Sequence, residues 1–291
     1  MGESQRISGH THLISLLGNP THHSLSPATH NLSFENAGID TVYLTFDVQK
    51  EDLPGIIGAM KAMDTWDGSN VTMPCKQAIV PLLDELDDAA ALIGAVNVVD
   101  CKDGKTKGYN TDGMGFMQNL RKHGVADKGA KVTLVGCGGA GSAVLTQGAL
   151  DGFASIDVFE MKGGANWERT RDLAARVAEK TGCTINVHDS ADKDALKDCI
   201  AASDILINST PVGMGEGSTA TPVPADFIKE GMVVADTIYF PRETQLINDA
   251  KAKGCTTVPG LGMMIEQAAA GEKIWYGIDM DNELIERELY A

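Results

Sequence analysis

The sequence predicts an α/β protein built from two domains, and its length, composition and order of elements all point to this class. Domains average about 150 residues, so a chain of 291 residues is expected to form two. Hydrophobic residues make up 43% of the chain, which is enough for two cores, and the 32 glycines are typical of a protein rich in turns. In the second half, β-rich apolar runs alternate with longer helical patterns, as in a doubly wound parallel sheet.

The most informative stretch is Lys131–Ser142, where an apolar, β-rich run leads into glycines spaced G-x-G-x-x-G. Gly136 would allow the tight turn, Gly138 the approach of a pyrophosphate, and Gly141 close packing of helix on strand. The pyrophosphate would bind free N–H groups at the helix start. Glu160 ends the next predicted strand, about 20 residues further on, where an acidic side chain takes ribose hydroxyls. This context favours dinucleotide binding over a packed turn without a ligand.

Charge and cysteine usage exclude several classes of function. The net charge of −16 argues against nucleic acid or an anionic membrane as partner, since both require basic surfaces. The six cysteines are scattered without metal-binding spacing, and His22–His23 lacks a further ligand, so we predict reduced thiols and no metal site. MGESQRISGH contains no apolar signal segment and no long apolar run follows, so we expect a cytoplasmic protein.

The first predicted strand, Leu13–Leu17, leads to a helix that runs from Ser26 to about Ala37. Ser26 followed by proline predicts an N-cap hydroxyl with proline at the first helical position. Ser24 has no such structural role, so the two hydroxyls beside a helix N-terminus form a candidate carboxylate site. A cap remains the alternative role for Ser26.

A second strand (42–48) and a helix (52–63) precede the segment NVTMPCK at 70–76. There Pro74 stops a short strand that would place Asn70 and Thr72 on one face. Lys76 would begin the next helix, where the macrodipole disfavours a cation. That position favours a functional lysine over an ordinary solvated one.

An acidic helical stretch (84–93) and a buried strand (95–99) follow, and Asn97 is the polar residue of that strand. Its side chain could be a satisfied core amide or a ligand-facing group. After a hairpin turn at 102–105, Asp112 precedes a helix (114–123) and could simply cap it. We place the domain boundary there, which gives domains 1–112 and 113–262, with C-terminal helices (263–291) packing on the first domain.

The second half supplies the alternating elements of the parallel sheet. Asn208–Met214 is predicted to turn at the carboxyl end of a strand, where such sheets bind ligands. The segment 237–241 then leaves the sheet, and two helices close the chain. The remaining predicted helices are 167–180 and 194–202, and the remaining predicted strands are 184–187, 205–208 and 232–235.

These segments together resemble the shikimate dehydrogenase family, and especially its quinate/shikimate dehydrogenase branch. The likeness covers nearly the whole chain in the family's order, and NVTxPxK followed by NTDG is far more specific than the glycine loop. The matching segments are Ser24–Asn31 (SLSPATHN), Asn70–Lys76 (NVTMPCK), Gly94–Val98 (GAVNV), Tyr109–Gly113 (YNTDG), Gly136–Gly141, Asn208–Met214 (NSTPVGM), Asp236–Pro241 (DTIYFP) and Gly260–Gln267 (GLGMMIEQ).

The resemblance implies a first domain that binds a hydroxylated ring carboxylate and a Rossmann domain that binds the nicotinamide cofactor. It implies Lys76 and Asp112 as the catalytic pair. The implied substrate ligands are Ser24 and Ser26 for the carboxylate, with Asn70, Thr72, Asn97 and Gln267 for hydroxyls or neighbouring groups, and Tyr239 closing the site from the cofactor side. The implied cofactor contacts are Gly136, Gly138, Gly139, Ala140, Gly141, Glu160, Thr210, Gly262 and Met263.

One departure from the family bears on the cofactor. Members that use NADP carry Asn-Arg-Thr-like residues after the second Rossmann strand, whereas this chain has Glu160-Met161-Lys162. A carboxylate binds a free ribose diol and repels a 2′-phosphate. The sequence therefore favours NAD, although Lys162 could compensate in part and NADP remains open.

The resemblance thus implies an oxidoreductase that transfers a hydride reversibly at a ring hydroxyl of shikimate or quinate, with 3-dehydroshikimate or 3-dehydroquinate as the ketone. Lys76 would accept the alcohol proton or stabilise alkoxide charge, with Asp112 orienting it or sharing the proton. The alternatives are an NADP-dependent shikimate dehydrogenase of aromatic amino-acid biosynthesis, a folate or amino-acid dehydrogenase with a similar cofactor half, and a non-catalytic NAD- or metabolite-binding protein. A homodimer is compatible with the sequence.

Overall fold

The computed structural model describes residues 7–290 and divides into two compact units. One unit contains the chain up to Thr111 and again from Ala268 onward, and the other is Asp112–Gln267. Each unit holds one six-stranded sheet. The α/β fold class predicted from the sequence is confirmed, including the return of the C-terminal helices to the first unit.

The elements follow one another in chain order through both units. The strands are β1 (His12–Gly18), β2 (Thr41–Asp47), β3 (Trp66–Val71), β4 (Glu85–Leu86), β5 (Val98–Lys102), β6 (Lys105–Tyr109), β7 (Lys131–Val135), β8 (Ser155–Glu160), β9 (Thr184–Asp189), β10 (Ile205–Asn208), β11 (Val233–Asp236) and β12 (Thr256–Val258). The α-helices are α1 (Ser26–Ala37), α2 (Leu53–Met60), α3 (Cys75–Ala78), α4 (Asp88–Ile93), α5 (Thr111–Lys122), α6 (Gly139–Asp151), α7 (Trp167–Thr181), α8 (Lys193–Ala202), α9 (Gln245–Ala252), α10 (Gly260–Tyr276) and α11 (Asn282–Leu289).

The sheet of the first unit is mixed, with strand order β2-β1-β3-β5-β6-β4. Strands β2, β1 and β3 are parallel, whereas β5 pairs antiparallel with both β3 and β6. Apolar side chains cover both faces, since Leu17 and Trp66 belong to one core cluster while Ile14 and Tyr43 belong to another. Because β1 and β3 are central, the segments that follow them meet at one edge of the sheet.

The sheet of the second unit is parallel throughout, with strand order β12-β11-β10-β7-β8-β9. The strand order reverses between β7 and β10, which is the place where doubly wound sheets bind their ligands. Gly136 and Ser209 follow these two strands, and the Ser209 N–H donates to the Val135 carbonyl at 2.8 Å. The predicted glycine loop therefore lies at the switch point of the sheet.

Three predicted elements of the first unit are wrong in detail. Helix α1 begins after Leu25, and the Ser26 N–H donates to Ser24 Oγ at 3.2 Å, so Ser26 is not the N-cap. The stretch 84–93 is not one helix, because β4 pairs with β6 before Asp87 caps α4. Strand β5 begins at Val98, after Asn97, whose own backbone N–H donates to Tyr109.

Other boundaries also moved, and two elements had no sequence prediction. Helix α2 is shorter than the predicted 52–63, and Thr72 lies just beyond the end of β3. Helix α9 and strand β12 were missed because their apolar runs are short, and β12 gains its strand character only from pairing with β11.

All six cysteines lie in described residues, and none forms a disulfide. Between residues 7 and 290, no helix has the length and apolar character needed to cross a bilayer.

A buried polar cluster joins the C-terminal helices to α1. Glu272 of α10 accepts hydrogen bonds from His30 Nδ1 at 2.7 Å and from Ser33 Oγ at 2.5 Å, and the His30 and Glu272 side chains are 1% and 0% exposed. Nearby, Thr29 Oγ1 and Tyr290 OH lie 2.8 Å apart. The cluster holds α10 against the helix that carries the candidate carboxylate site.

We expect Glu272→Ala to lower the free energy of unfolding by about 3–5 kcal/mol, because it leaves two buried polar partners without their acceptor. Glu272→Gln keeps the shape and should cost less. Urea unfolding followed by circular dichroism measures both. Glu283→Ala removes an exposed acidic residue of α11 and is the matched control. A loss for Glu272→Ala no larger than that of the control would contradict the prediction.

Candidate active site

The candidate carboxylate site lies where the chain enters α1. Ser24 and Ser26 are half-buried, and Ser24 Oγ already accepts the Ser26 N–H. Ser26 also lies beside Tyr43, a residue that sequence reasoning did not single out. Burial raises the pKa of Tyr43. Its phenol is therefore a permanent O–H donor at neutral pH.

Tyr43 also orients Asn70, the next residue predicted to bind substrate. Its OH donates to Asn70 Oδ1 at 2.7 Å, and Asn70 Nδ2 donates to the Asn97 carbonyl at 3.1 Å. A carbonyl can only accept, so these partners fix which end of the Asn70 amide is nitrogen. The amide has two N–H donors, and the Asn97 carbonyl engages only one of them.

The side chain of Asn97 is fixed in the same way by Thr111. Its Oδ1 accepts the Thr111 N–H at 2.7 Å, and its Nδ2 donates to Thr111 Oγ1 at 3.0 Å. The residue is therefore partly a satisfied buried amide, as one of the two sequence alternatives proposed. Since Asp112 directly follows Thr111 in the chain, this pair also fixes the end of the first unit. We define Ser26, Tyr43, Asn70, Asn97 and Thr111 as the polar chain.

Lys76 lies in α3, immediately after the turn that ends β3. The Cys75 N–H donates to the Thr72 carbonyl at 2.8 Å, and the Val96 N–H donates to the Lys76 carbonyl at 2.8 Å. Thr72 also packs against Gly18 so closely that a Cβ there would overlap its methyl group. The backbone on both sides of the half-buried Lys76 side chain is therefore held by main-chain bonds within the first unit.

In the second unit the glycine loop is packed as the motif requires. A Cβ at Gly141 would overlap the Gly136 carbonyl oxygen and Ser209 Oγ, so helix α6 can approach the strand only with glycine there. Gly136 has φ of 88° and lies against Thr210. The structure thus places Thr210, predicted separately, beside the loop.

The start of α6 fits a pyrophosphate. A Cβ at Gly138 would find open space among the described residues, and no described side chain caps the helix. Gly139, Ala140 and Gly141 form its first turn, whose N–H groups have no partner within the helix. These are the features of an anion site at a helix N-terminus. The residues present therefore fit a dinucleotide.

Glu160 is held rigidly at the end of β8. Its Oε2 accepts the Cys137 N–H at 2.8 Å, and its Oε1 accepts the Met161 N–H at 3.0 Å. Arg169 of α7, which the sequence did not indicate, donates to the Cys137 carbonyl at 3.2 Å. Glu160 therefore bonds the N–H group of Cys137, and Arg169 bonds its carbonyl group, inside the glycine loop. Burial raises the pKa of the Cys137 thiol, so that thiol stays neutral.

A buried carboxyl group organises the loops after β10 and β11. Asp236 accepts bonds from Asn208 Nδ2 at 3.1 Å, the Ile238 N–H at 2.9 Å and Thr244 Oγ1 at 2.8 Å. Burial raises the pKa of Asp236, while these hydrogen bonds act in the opposite direction. Asn208 Oδ1 in turn accepts the Thr210 N–H at 3.0 Å. The carboxyl group of Asp236 therefore positions Thr210, through Asn208, and also the segment that carries the exposed Tyr239.

Helices α5 and α10 meet closely in the second unit. A Cβ at Gly115 would overlap the Gln267 backbone, so α5, which begins beside Asp112, lies against the helix that carries Gln267. A Cβ at Gly262 would overlap the Asn119 side chain, whose Nδ2 donates to the Pro259 carbonyl at 3.0 Å. Gly262 and Met263 therefore have fixed places in the first turn of α10.

Each unit thus gathers its own predicted residues. Ser24, Ser26, Asn70, Thr72, Lys76 and Asn97 belong to the first unit, and Asp112, Tyr239, Gln267 and all predicted cofactor residues belong to the second. Sequence reasoning gave no role to four residues that position the predicted ones: Tyr43, Thr111, Arg169 and Asp236. Thr111 and Asp236 lie within matched segments, whereas no local pattern marks Tyr43 or Arg169, because their partners lie far away along the chain.

Comparisons with known proteins agree with this geometry. Residues 16–99 match a family model described as the shikimate dehydrogenase substrate binding domain. An NADP(+) shikimate dehydrogenase of Alkaliphilus metalliredigens is 40% identical over 283 residues, which is 97% of each chain. The chain belongs to the shikimate dehydrogenase family.

Two solved structures of relatives in or near this family are also similar. A shikimate 5-dehydrogenase of Listeria monocytogenes, in complex with shikimate and NAD, is 39% identical with a TM-score of 0.95 over 99% of each chain. A quinate dehydrogenase of Corynebacterium glutamicum, in complex with NAD, is 31% identical with a TM-score of 0.85 and covers 95% of this chain and 98% of its own.

We expect Gly138→Ala to weaken NAD binding about 10–100-fold, the cost of losing a bond to a charged group, while the melting temperature stays unchanged. The added methyl group finds open space in the protein but occupies the place of the pyrophosphate. Gly141→Ala should instead lower both the affinity for NAD and the melting temperature, because its Cβ overlaps protein atoms. Fluorescence titration and thermal denaturation measure the two effects.

Gly58→Ala is the control for the glycine substitutions, since Gly58 lies in α2 of the first unit with open space around it. It should leave NAD binding unchanged. Unaltered NAD affinity in Gly138→Ala would show that the loop does not approach a pyrophosphate.

Proposed function

We propose that this protein is a shikimate dehydrogenase that interconverts shikimate and 3-dehydroshikimate and prefers NAD to NADP. The observation that carries the proposal is the polar chain, which orients the amides of Asn70 and Asn97 in the unit that contains Lys76. The bound nicotinamide would supply the hydride acceptor. The names of the relatives support the substrate, and the geometry of Glu160 supports the cofactor.

The substrate site is built for a polyhydroxylated carboxylate. The net charge of −16 repels an anion, so its carboxylate needs local donors, and the hydroxyls of Ser24 and Ser26 would supply them. The amide groups of Asn70 and Asn97 would face the ring hydroxyls. A buried site that donates hydrogen bonds strongly rejects analogues that lack the hydroxyl, because its own groups are then left unpaired.

Lys76 is the proposed acid/base residue. As the alcohol is oxidised, the Lys76 side chain would accept the alcohol proton or stabilise the developing alkoxide charge. Asp112 would orient the lysine or share that proton. The firm backbone bonds on both sides of Lys76 support such a role, because catalytic groups act best from a fixed position.

The preference for NAD rests on Glu160. Its two oxygens are held by the N–H groups of Cys137 and Met161, so the carboxylate has a fixed place at the end of β8. An acidic residue at this position of a Rossmann unit binds the ribose 2′-hydroxyl. The Listeria structure contains NAD, whereas the curated relatives of Alkaliphilus and of Listeria monocytogenes are named for NADP. The carboxylate favours the first of these two cofactors.

Quinate is a second candidate substrate. The Corynebacterium relative is a quinate dehydrogenase in complex with NAD, and it is similar over nearly the whole chain. Quinate is also a hydroxylated ring carboxylate, so the same hydroxyl and amide donors suit it. Quinate has a saturated ring and one more hydroxyl than shikimate, on the carbon that bears the carboxylate, so the groups that face this carbon would decide between the two substrates.

We expect turnover of shikimate with NAD, at a kcat/KM about 100-fold above that with NADP. A like-charge contact at about 4 Å is worth about 4 kcal/mol near a protein surface, and solvent exposure reduces it. A panel of shikimate and quinate, each with NAD and NADP, measures this by the absorbance of the reduced nicotinamide. Glu160→Ser should narrow the difference, whereas Glu168→Ser, an exposed neighbour in α7, should not.

Equal or better use of NADP by the unaltered protein would overturn the cofactor preference. Turnover of quinate alone would move the substrate assignment to the second candidate. If neither substrate turns over with either cofactor, the protein is a non-catalytic member of the family.

We expect Lys76→Ala to lower kcat by about 10²–10⁴-fold, the usual contribution of a general acid or base. Binding of NAD should remain, because the dinucleotide residues belong to the other unit. Asp112→Asn should be milder if Asp112 only orients the lysine. The two substitutions should combine less than additively if both residues act on one step.

Lys50→Ala is the control for this prediction, since Lys50 is an exposed lysine of the same unit. Steady-state kinetics and NAD titration test the variants together. The role fails if Lys76→Ala keeps more than about a tenth of the wild-type kcat, which is too much for a lost general base.

A further inference from the structure

We propose that Asp157, His188 and Cys199 form a binding site for a divalent transition-metal ion, with Zn²⁺ as the ion that suits them best. This cluster, called here the edge site, lies in the second unit and shares no residue with the proposed active site. The sequence predicted no metal, because the three residues belong to three different elements. Two come from neighbouring strands, and one comes from the helix that covers them.

The positions of the donors follow from the sheet register. Asp157 of β8 lies directly opposite Asn186 of β9, and Phe159 lies opposite His188. Alternate residues of a strand share a face, so Asp157 and His188 point to the same side of the sheet. Helix α8 covers that side, since its Leu196 and Ile200 pack with Phe159 in one core cluster. Cys199 of α8 is therefore presented to the two strand residues.

The distances suit a tetrahedral ion. Asp157 Oδ1 and His188 Nε2 lie 2.9 Å apart, and one ligand atom from each of the three residues lies within 4.8 Å of the others. Around Zn²⁺ with its usual bond lengths, nitrogen and oxygen ligands are about 3.3 Å apart, and sulfur lies about 3.5 Å from each. Small side-chain rotations therefore bring all three donors to bonding distance. A water molecule would complete the tetrahedron.

The surroundings fix the donors and leave the ion a way in. Asn186 Nδ2 donates to Asp157 Oδ1 at 3.0 Å, and the Phe159 ring stacks on His188 with 4.8 Å between centroids and 17° between planes. Supporting contacts of this kind orient metal ligands and strengthen binding. The side chains of His188 and Asp157 are 29% and 23% exposed, so a hydrated ion can reach them.

The local charge also favours a cation. The carboxylates of Asp157, Asp198 and Asp192 place negative charge around Cys199. The same carboxylates attract a divalent ion, which binds sulfur as the thiolate. Each ion bound therefore releases the thiol proton to solvent. The donor set of thiolate, imidazole and carboxylate is one that Zn²⁺ uses in proteins.

Binding would fasten an edge of the parallel sheet. Strand β9 is the last strand on its side and pairs only with β8 among the described strands. An ion that bridges β8, β9 and α8 ties this edge to both of its neighbours. Since the ion binds the folded arrangement, it should raise the melting temperature, and the rise should grow with the logarithm of the ion concentration.

Cobalt spectroscopy tests the edge site on the full chain after removal of metals with a chelator. Addition of Co²⁺ should give one equivalent of binding, with a thiolate-to-cobalt charge-transfer band and the visible bands of a tetrahedral ion. Zn²⁺ should displace the Co²⁺ and remove the bands. Absence of the charge-transfer band in the unaltered protein at excess Co²⁺ would overturn the proposal.

Variants assign the sulfur ligand. Cys199→Ser should abolish the charge-transfer band and weaken Zn²⁺ binding by more than the roughly 100-fold that loss of a supporting residue costs. Cys255→Ser is the matched control, because Cys255 is also half-buried in this unit but bonds the Lys229 carbonyl instead. A band that persists in Cys199→Ser, or is lost in Cys255→Ser, would contradict the assignment.

A measurement on the unaltered protein covers the case in which Cys199→Ser does not fold. Zn²⁺ should protect Cys199 from iodoacetamide, as mapped by peptide mass spectrometry, while labelling of Cys255 stays the same. Equal labelling of Cys199 with and without Zn²⁺ would refute the site.

Discussion

The hydrogen bond from Asn70 to the backbone carbonyl of Asn97 is the interaction on which the site of the first unit depends. It joins the end of β3 to the segment that precedes β5, and it gives the buried Asn70 amide nitrogen its partner. Tyr43 donates a hydrogen bond to the Asn70 amide oxygen, and Thr111 donates one to the Asn97 amide oxygen. Because each group has a partner that can act only as donor or only as acceptor, the orientation of both amides is settled before any ligand binds.

The C-terminal return supports this arrangement from behind. The His30 ring stacks on the Tyr43 ring with centroids 4.6 Å apart, and His30 is in turn bonded to Glu272 of α10. A residue near the end of the chain therefore fixes a side chain that orders Asn70. The second unit uses the same principle, since the buried Asp236 accepts the Ile238 N–H directly and positions Thr210 through Asn208. In both units, buried polar groups that are hydrogen-bonded to one another hold the polar side chains in place.

The fold could be predicted to a large extent, because it follows from local patterns. The parallel strands β7 and β8 are apolar runs of the expected length, and glycines end α1, α6 and α7 in left-handed conformations. The errors occur where pairing overrides local preference. The acidic segment 84–93 has the composition of a helix, yet Glu85 and Leu86 pair with β6. Asn97 lies in an apolar run that predicts a strand, yet β5 begins only at Val98, and the Asn97 side chain bonds to Thr111.

The sequence by itself determined the motifs: the spacing of Gly136 and Gly141, the acidic Glu160 and the segment around Lys76. These depend on residues close together in the chain, where steric and backbone requirements dictate the residue type. Only the tertiary structure decided which distant groups support them, such as Tyr43 behind Asn70. Such pairs leave no sequence signature, because folding brings together side chains that lie on separate strands and helices.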